Sequence, residues 1–195
     1  MTEKGFLMDR LEFYTVDLKY VKELYRHDRE VFYDESTEDY GSKPYVGILV
    51  HTEGYRYFVP LTSAKKKHLN WKNVSRDNYL IYEMTAKEDM NSRHIFKEIQ
   101  GTDIVKHILA VLEIKKMIPV KPGLYHKMDF SQIGDERYKT LLLKEYEFLK
   151  PLAEGIQCKA EKIYKDQKVT GVIHPFYCNF SLLESICDTY QETLS

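Results

Sequence analysis

The sequence lacks most of the features that mark secreted, membrane or disulfide-stabilised proteins. Its 195 residues contain three cysteines, Cys158, Cys178 and Cys187, and no C-x-x-C pair. Because an odd number leaves one thiol unpaired in any disulfide scheme, we expect reduced core thiols and no structural zinc site. No apolar run approaches the roughly 20 residues that span a bilayer, and the opening stretch MTEKGFLMDR has no signal-peptide core. These absences predict a cytoplasmic protein.

Several catalytic motifs are also missing. The seven histidines form neither H-E-x-x-H nor a spacing of two histidines with a carboxylate, which disfavours a metal-dependent nuclease. The absence of G-x-x-x-x-G-K-[ST] and G-x-G-x-x-G excludes a P-loop and a dinucleotide fingerprint. Residues 63–66 match S-x-x-K, but the S-D-N and K-T-G partners of penicillin-binding enzymes do not occur, so this match is a chance one. We therefore expect no metal and no cofactor.

Positive charge is concentrated in one segment, although the chain as a whole has a net charge of −1. Between residues 43 and 76 the local charge is +6, from one acid, Glu53, and seven bases at positions 43, 56, 65, 66, 67, 72 and 76. Such segregation suits a local anionic ligand. Tyrosines and Trp71 are interleaved with these bases. The rings suit stacking on unpaired bases, and they equally suit alternation along half-buried strands.

The periodicity of apolar residues predicts an α+β fold. A chain of this length predicts a single domain over residues 1–195, which buries roughly 70% of its unfolded surface. Alternation and turn signals predict strands at 11–16, 45–51, 55–61, 79–85 and 107–114, with a hairpin joining the second and third. Helical spacing predicts helices at 17–27, 135–150, 151–168 and from residue 181 onward. The expected architecture is a strongly bent antiparallel sheet with helices packed against it.

Local signals locate the helix ends. Asp17 is the expected N-cap of the first helix, and Pro151 fits a first helical position. The pair Ser181 and Glu184 forms a capping box, which predicts that the last helix starts at Ser181 and that Phe180 enters the core. The polar stretch 33–44 is a predicted loop. Residues 86–106 carry only a short amphipathic piece around 95–99.

Two hydroxyls and three lysines follow directly after the predicted strand 55–61. Residues at a strand end are held by the sheet, where Thr62 and Ser63 can donate hydrogen bonds to phosphate oxygens. Lys65 or Lys66 can neutralise the charge that grows on a pentacoordinate phosphorus. RNA supplies its own nucleophile, the 2′-hydroxyl, so a protein that aligns and stabilises these atoms can cleave it. A solvated lysine loop is the alternative interpretation of the same residues.

Two blocks of the sequence resemble one protein family. The first is YVGILV, a glycine turn and YRYFVPLTSAKKKH; the second is CNFSLLE near the C-terminus. With this combination, from about Leu11 to about Tyr190, the chain resembles the ToxN/AbiQ/CptN endoribonucleases. These are the protein toxins of type III toxin–antitoxin systems, whose antitoxin is a repeated small RNA.

The resemblance implies both a fold and a chemistry. The implied core is a compact, strongly bent antiparallel sheet or barrel of the MazF/CcdB/Kid type with added helices. The implied reaction is metal-independent cleavage of single-stranded RNA, which leaves 2′,3′-cyclic phosphate and 5′-hydroxyl ends and serves abortive infection against phage. Thr62, Ser63 and Lys65 fall on the catalytic loop of the family, and Lys43 falls on a second active-site lysine. The expected RNA-binding residues are Tyr20, Tyr40, Lys66, Lys67, His68, Trp71 and Arg76.

The resemblance also implies a partner. The expected inhibitor is a structured small RNA that occupies the same basic face as the substrate. The enzyme would cut the repeat array into units, and each RNA unit would bridge protein subunits in a closed assembly. Two alternatives stay open: a non-catalytic RNA-binding barrel that uses this face, and a structural domain with a solvated lysine loop. Neither the residues nor the resemblance identifies a general base.

Overall fold

Eight strands and four α-helices occupy the described part of the chain, which is residues 11–33, 43–52 and 54–191 of a computed structural model. The strands are β1 Glu12–Val16, β2 Tyr45–His51, β3 Arg56–Ser63, β4 Asn78–Ala86, β5 Phe96–Glu98, β6 Ile104–Glu113, β7 Ile118–Val120 and β8 Tyr125–Lys127. The helices are α1 Leu18–His27, α2 Glu136–Leu149, α3 Ala153–Thr170 and α4 Phe180–Thr189. Most of the predicted loop 33–44, including Tyr40, lies outside the described residues.

All strand pairs are antiparallel, in the order β4-β6-β3-β2-β1-β8, with β5 beside β6 and β7 beside β3. Strand β3 pairs with β2 and β7 over its first residues, and with β6 at its end. The predicted α+β class is confirmed. The described sheet is open, because its terminal strands β4 and β8 do not pair with each other, so barrel closure stays a prediction.

The predicted hairpin is confirmed, and its two strands pack closely on each other. In β2, a Cβ atom added to Gly47 would lie 2.2 Å from the Phe58 ring of β3, so only glycine allows this approach. Phe58 is one of the fully buried aromatic side chains, each of which stabilises the fold by about 1.5–3 kcal/mol. The others are Phe13, Tyr20, Tyr57 and Phe180. These five rings lie where β1 to β3 meet α1 and α4, and the core continues from there to buried residues of α2 and α3.

Helices α1, α2 and α3 agree with the sequence prediction within about two residues. The Asp17 carboxylate caps α1 by accepting the backbone N–H of Tyr20 at 2.7 Å. Pro151 lies in a single 3₁₀ turn, Lys150–Leu152, that leads into α3, and Gly171 ends α3 with a left-handed φ of 68°. None of the helices in the described residues is long and apolar enough to cross a membrane.

The start of α4 differs from the prediction. Its N-cap is Asn179, whose side chain accepts the N–H of Leu182 at 3.1 Å, so the cap lies two residues before the predicted cap Ser181 and the helix begins at Phe180. The N–H of Asn179 is held by Asp28 at 2.8 Å, which fixes the chain in its capping conformation. Glu184, the second half of the predicted box, instead bonds to residues of β3 and α3. Tertiary partners therefore outcompete the local capping motif.

The three cysteines are free thiols. Cys178 and Cys187 are buried, as expected for core thiols, whereas Cys158 is exposed on α3. The prediction of a core position is therefore wrong for Cys158. Its neighbours Ile156 and Ala160 occupy the buried face of this helix, and position 158 points away from them.

Candidate active site

The end of β3 carries the predicted catalytic loop. Thr62 and Ser63 pair with Val111 and Ala110 of β6, so their backbone is fixed by the sheet. Thr62 is the last of six consecutive buried residues in β3, and Ser63, at the end of the strand, is exposed. The next three lysines, at positions 65, 66 and 67, are exposed, and none of them forms an ion pair with any described residue. The loop therefore presents one hydroxyl and several unneutralised cations to solvent.

The hydroxyl of Thr62 already forms a hydrogen bond within the sheet. It donates a hydrogen bond to the carbonyl of Val111 at 3.2 Å, and the residue is buried. To donate to a phosphate oxygen, as the sequence predicted, Thr62 would have to exchange this bond. Ser63 needs no such exchange, because its side chain is exposed.

His68 braces the lysine loop from inside. Its side chain is 2% exposed, and its Nδ1 accepts the backbone N–H of Lys65 at 2.9 Å. The N–H of His68 returns a bond to the carbonyl of Lys65 at 2.8 Å, and the imidazole lies edge-on to Trp71. Burial, with the positive charges of Lys67 and Lys65, lowers the pKa of His68 to about 4. A neutral imidazole thus holds the loop that carries Lys65.

Two of the residues predicted to contact RNA are buried. The ring of His68 is enclosed by the loop whose backbone it holds, so it presents almost no surface to a ligand. Tyr20 lies on the inner face of α1 with no exposed surface, and its hydroxyl donates to the carbonyl of Pro119 at 2.6 Å. Burial raises the pKa of the Tyr20 phenol far above its usual value. Its ring packs edge-on against Tyr190, so neither ring face is open to a base.

The other predicted contacts among the described residues are accessible but lie in two places. Trp71 is half-buried, with the ammonium groups of Lys67 and Lys115 each 5.6 Å from its ring centre. Arg76 is exposed, and its guanidinium donates to the Tyr177 hydroxyl at 2.7 Å. Trp71 and Lys67 thus accompany the strand-end loop, whereas Arg76 belongs to the surface around Tyr177.

A cavity of about 160 Å³ opens beside the end of β3. Its wall brings together two elements that are distant in sequence, the strand-end residues and helix α2. The polar lining residues are Lys43, Thr62, Ser63, Tyr138 and Glu145. The structure therefore collects three of the four predicted catalytic residues around one cavity, and Lys65 follows two residues after Ser63.

Glu145 lines this cavity and was not predicted from the sequence. It is 4% exposed, and its burial raises the pKa of the carboxyl to about 8. The signal was present in the helical spacing, because Leu142 and Leu149 lie on the same buried stripe of α2. A carboxylate is unusual on an apolar stripe, because its charged form loses hydration there and is destabilised.

A larger cavity of about 500 Å³ lies along α3 and shares no lining residue with the first. Its cationic residues are already engaged within the protein. Arg76 binds Tyr177, Lys162 pairs with Asp166 at 3.2 Å, and Lys159 donates to the carbonyl of Ser75. Size alone thus does not make it the stronger candidate, and the chemistry favours the cavity at the end of β3.

Comparison with known sequences gives a match over most of the chain. The family described as "Toxin ToxN, type III toxin-antitoxin system" matches residues 12–188. "Endoribonuclease ToxN" of Bacillus thuringiensis subsp. kurstaki is 29% identical over 193 residues, covering 94% of this chain and 86% of that protein. "Endoribonuclease ToxN" of Pectobacterium atrosepticum is 27% identical over 177 residues, covering 89% and 90% respectively.

Comparison with solved structures gives the same result for the fold. One structure, from work on selective toxin inhibition by a non-coding RNA pseudoknot, has a TM-score of 0.68 and 28% identity, covering 92% of this chain and 97% of that one. The lactococcal anti-phage endoribonuclease AbiQ also gives a TM-score of 0.68, at 23% identity, with the same two coverages. At 23% identity, the similarity to AbiQ shows a shared fold only.

Proposed function

Because the chain belongs to the ToxN toxin family of type III toxin–antitoxin systems, we propose that it is an endoribonuclease that cleaves single-stranded RNA. Relatives over most of its length are named endoribonucleases. The observation that carries the proposal is the end of β3, where exposed Ser63 lines a cavity together with Lys43 and exposed Lys65 follows two residues later in the chain. A hydroxyl held by the sheet and a lysine without an ion pair among the described residues, here Ser63 and Lys65, are groups that phosphate chemistry uses.

The proposed reaction is an in-line attack of the 2′-hydroxyl on the adjacent phosphorus. The O2′–P bond forms as the P–O5′ bond breaks, which gives a 2′,3′-cyclic phosphate and a 5′-hydroxyl. Ser63 donates to a non-bridging oxygen, and Thr62 supports this position from the sheet. Lys65 stabilises the phosphorane and donates a proton to the leaving 5′-oxygen, while Lys43 adds positive charge. The reaction is proposed to need neither metal nor cofactor, because the substrate supplies the nucleophile.

The proposed RNA path follows the lysines of the strand-end loop. Lys66 and Lys67 contact phosphates, and Trp71 offers a ring for base stacking. Arg76 extends the basic face, and Tyr40 stays a predicted contact outside the described residues. Cytoplasmic location, a single domain over 1–195 and a MazF/CcdB/Kid-like core complete the proposal.

The proposed inhibitor is a structured small RNA that binds the same face. One related structure concerns selective toxin inhibition by a non-coding RNA pseudoknot. Here the toxin is proposed to process the repeats and to retain each unit, with RNA bridging protein subunits in a closed assembly. Phosphate contacts make such binding salt-dependent, with a slope of about 0.7 log units per neutralised single-strand phosphate.

The test of the site compares Lys65→Ala with Lys72→Ala on a 5′-labelled single-stranded RNA of mixed sequence. Lys72 is an exposed lysine of the same basic segment that we assign no role. We expect Lys65→Ala to lose roughly 10²–10³-fold in cleavage rate, the usual cost of one transition-state contact. Lys72→Ala should cleave like the wild type. Wild-type cleavage by Lys65→Ala would refute the assignment, and wild-type protein that binds RNA without cutting would favour the binding-domain alternative.

The chemistry has its own test. A substrate with one deoxynucleotide on the 5′ side of the cut should resist, because it lacks the nucleophile. Cleavage of the ordinary substrate should persist in EDTA, and mass spectrometry should find cyclic phosphate on the 5′ fragment. Cutting at the deoxy position would rule out the 2′-hydroxyl mechanism.

A further inference from the structure

The proposed reaction needs a group that takes the proton from the 2′-hydroxyl, and we propose that Glu145 is this general base. This inference rests on the proposed function. Glu145 and Ser63 line the same cavity, from helix α2 and from the end of β3 respectively. At about 30 Å³ per water, the 160 Å³ cavity holds roughly five waters, which is room for a phosphoryl group with its neighbouring hydroxyl.

The carboxylate of Glu145 is not used to hold the fold together. Among the described residues, no hydrogen bond or ion pair reaches its oxygens, although the residue is 4% exposed. Buried carboxylates in proteins normally have donors or a cation as partners. The cavity wall is therefore where this carboxylate can meet a donor, and a ribose hydroxyl is such a donor.

The other described groups near the loop cannot accept this proton. The Nδ1 of His68 already accepts the N–H of Lys65, and its Nε2 is buried. Burial and the negative charge of Glu145 raise the pKa of Tyr138, so this phenol keeps its proton. Lys43 is a cation. Glu145 is thus the one carboxylate on the described wall of the cavity.

The protonation behaviour of Glu145 suits a base that works near neutral pH. Desolvation by the apolar wall raises the pKa of its carboxyl to about 8. Elsewhere on α2, Lys144 pairs with Glu83 of β4 at 2.6 Å, and Glu83 also contacts His107 of β6 at 3.1 Å. These charges neutralise one another, and Lys43 and Tyr138 are the ionisable groups that share the cavity with Glu145. A catalytic pKa near the working pH maximises proton transfer.

The step is balanced in atoms and protons. The Glu145 carboxylate accepts the 2′-hydroxyl proton as the O2′–P bond forms. The P–O5′ bond breaks, and the Lys65 ammonium gives a proton to the 5′-oxygen. After product release, Glu145 loses its proton to water and Lys65 regains one, so the enzyme returns to its starting state with no net proton uptake.

The test is the pH dependence of RNA cleavage by the wild type, Glu145→Gln and the control Glu147→Gln. Glu147 is a solvent-exposed carboxylate on the same helix, paired with Lys150 at 3.7 Å. Below pH 8 the wild-type second-order rate should rise about tenfold per pH unit and then level off. Glu145→Gln should be slower by roughly 10²–10⁴-fold at pH 8, with this rise abolished. Glu147→Gln should reproduce the wild-type profile.

The outcomes separate this inference from the proposed function. If the wild type cuts RNA and Glu145→Gln shows the same rate and pH profile, Glu145 is not the base. If the wild type cuts no RNA at any pH, the proposed function itself fails. Glu145→Asp is the control for a folding defect. It keeps a carboxylate but shortens the side chain by one methylene. A pH-dependent cleavage rate between those of the wild type and Glu145→Gln therefore supports the assignment. A Glu145→Asp profile equal to that of a folded, inactive Glu145→Gln would contradict it.

Discussion

Two buried glutamates, Glu145 on α2 and Glu184 on α4, are nearly equal in exposure, at 4% and 7%, yet their surroundings are opposite. The carboxylate of Glu184 accepts hydrogen bonds from the hydroxyls of Tyr57 and Tyr164, at 2.8 and 2.9 Å, and from the ammonium of Lys168 at 2.6 Å. Glu145 has no such partner among the described residues. Burial alone therefore does not assign a role; the partners do.

The comparison separates a structural carboxylate from an available one. The three donors of Glu184 come from β3 and α3, so its network ties these elements to α4. A carboxylate that already accepts three hydrogen bonds cannot take up a proton without weakening this network. Glu145 instead faces a cavity beside Ser63, at the expense of stability, as is common for functional groups.

The largest effect is expected when the Glu184 network is broken. Glu184→Ala leaves two tyrosine hydroxyls and one ammonium without their acceptor, and losing one partner of a buried pair costs about 3–5 kcal/mol. Urea unfolding should show a loss of this size. The fraction that stays folded should still cleave RNA at the wild-type rate.

Glu161→Ala is the matched control for this variant. Glu161 pairs with Lys165 on exposed turns of α3, and such surface pairs contribute about 0–1 kcal/mol. Stability close to wild type is therefore expected. A Glu184→Ala protein that is folded and stable but no longer cleaves RNA would contradict the assignment of a purely structural role to Glu184.

The second effect has the opposite sign and concerns Glu145. Its folded-state pKa of about 8 lies above the unfolded value of 4.5. Between these values the folded chain binds more protons than the unfolded chain, so the free energy of unfolding falls as pH rises. At about 1.36 kcal/mol per pKa unit, this amounts to roughly 3 kcal/mol between pH 4.5 and 7.

Glu145→Gln removes this slope, because an amide does not titrate. The variant should gain stability relative to the wild type as pH rises from 5 to 8, while it loses cleavage. Urea unfolding at both pH values measures the difference, with Glu147→Gln as the control that keeps the wild-type slope. Parallel curves for the wild type and Glu145→Gln would mean that Glu145 is ionised in the folded state.

Much of the fold could be predicted from the sequence, because its signals are local. The two β-rich runs of β2 and β3 around a glycine turn, and Asp17 at the start of α1, need no distant partner. Strand β5 lay hidden in the stretch 86–106, since three residues form a strand only by pairing with β6. The start of α4 was misplaced because Asp28 holds Asn179 from far away in the sequence.

The site shows the same division between local and distant information. Ser63 and Lys65 could be predicted as site residues because the loop directly follows a strand. Glu145 could not, because the helical period places it on a buried stripe without indicating which part of the sheet this stripe meets. Tyr20 was assigned to RNA from a family match, yet the apolar face of α1 takes it into the core.

The smallest effect on the cleavage rate is expected from substitution of His68. This substitution tests whether His68 holds the backbone of the loop or contacts RNA. His68→Leu fills a similar volume but removes the acceptor of the Lys65 N–H, a hydrogen bond whose net contribution is about 1 kcal/mol. If this bond positions Lys65 in the transition state, the rate at saturating RNA should fall about fivefold, and RNA affinity should hold. His68→Asn, which restores a side-chain acceptor near the same place, should recover part of the loss.

The chain supplies a close control for this last variant. His94 makes the same local contact in another loop, where its Nδ1 accepts the N–H of Asn91 at 3.3 Å. His94→Leu therefore removes an equivalent bond away from Lys65, and the cleavage rate should not change. If His68→Leu weakens RNA binding and leaves the saturated rate intact, the imidazole contacts RNA after all. A fall in rate at constant affinity instead identifies a neutral histidine whose work is to hold the Lys65 backbone beside the cavity that Glu145 faces.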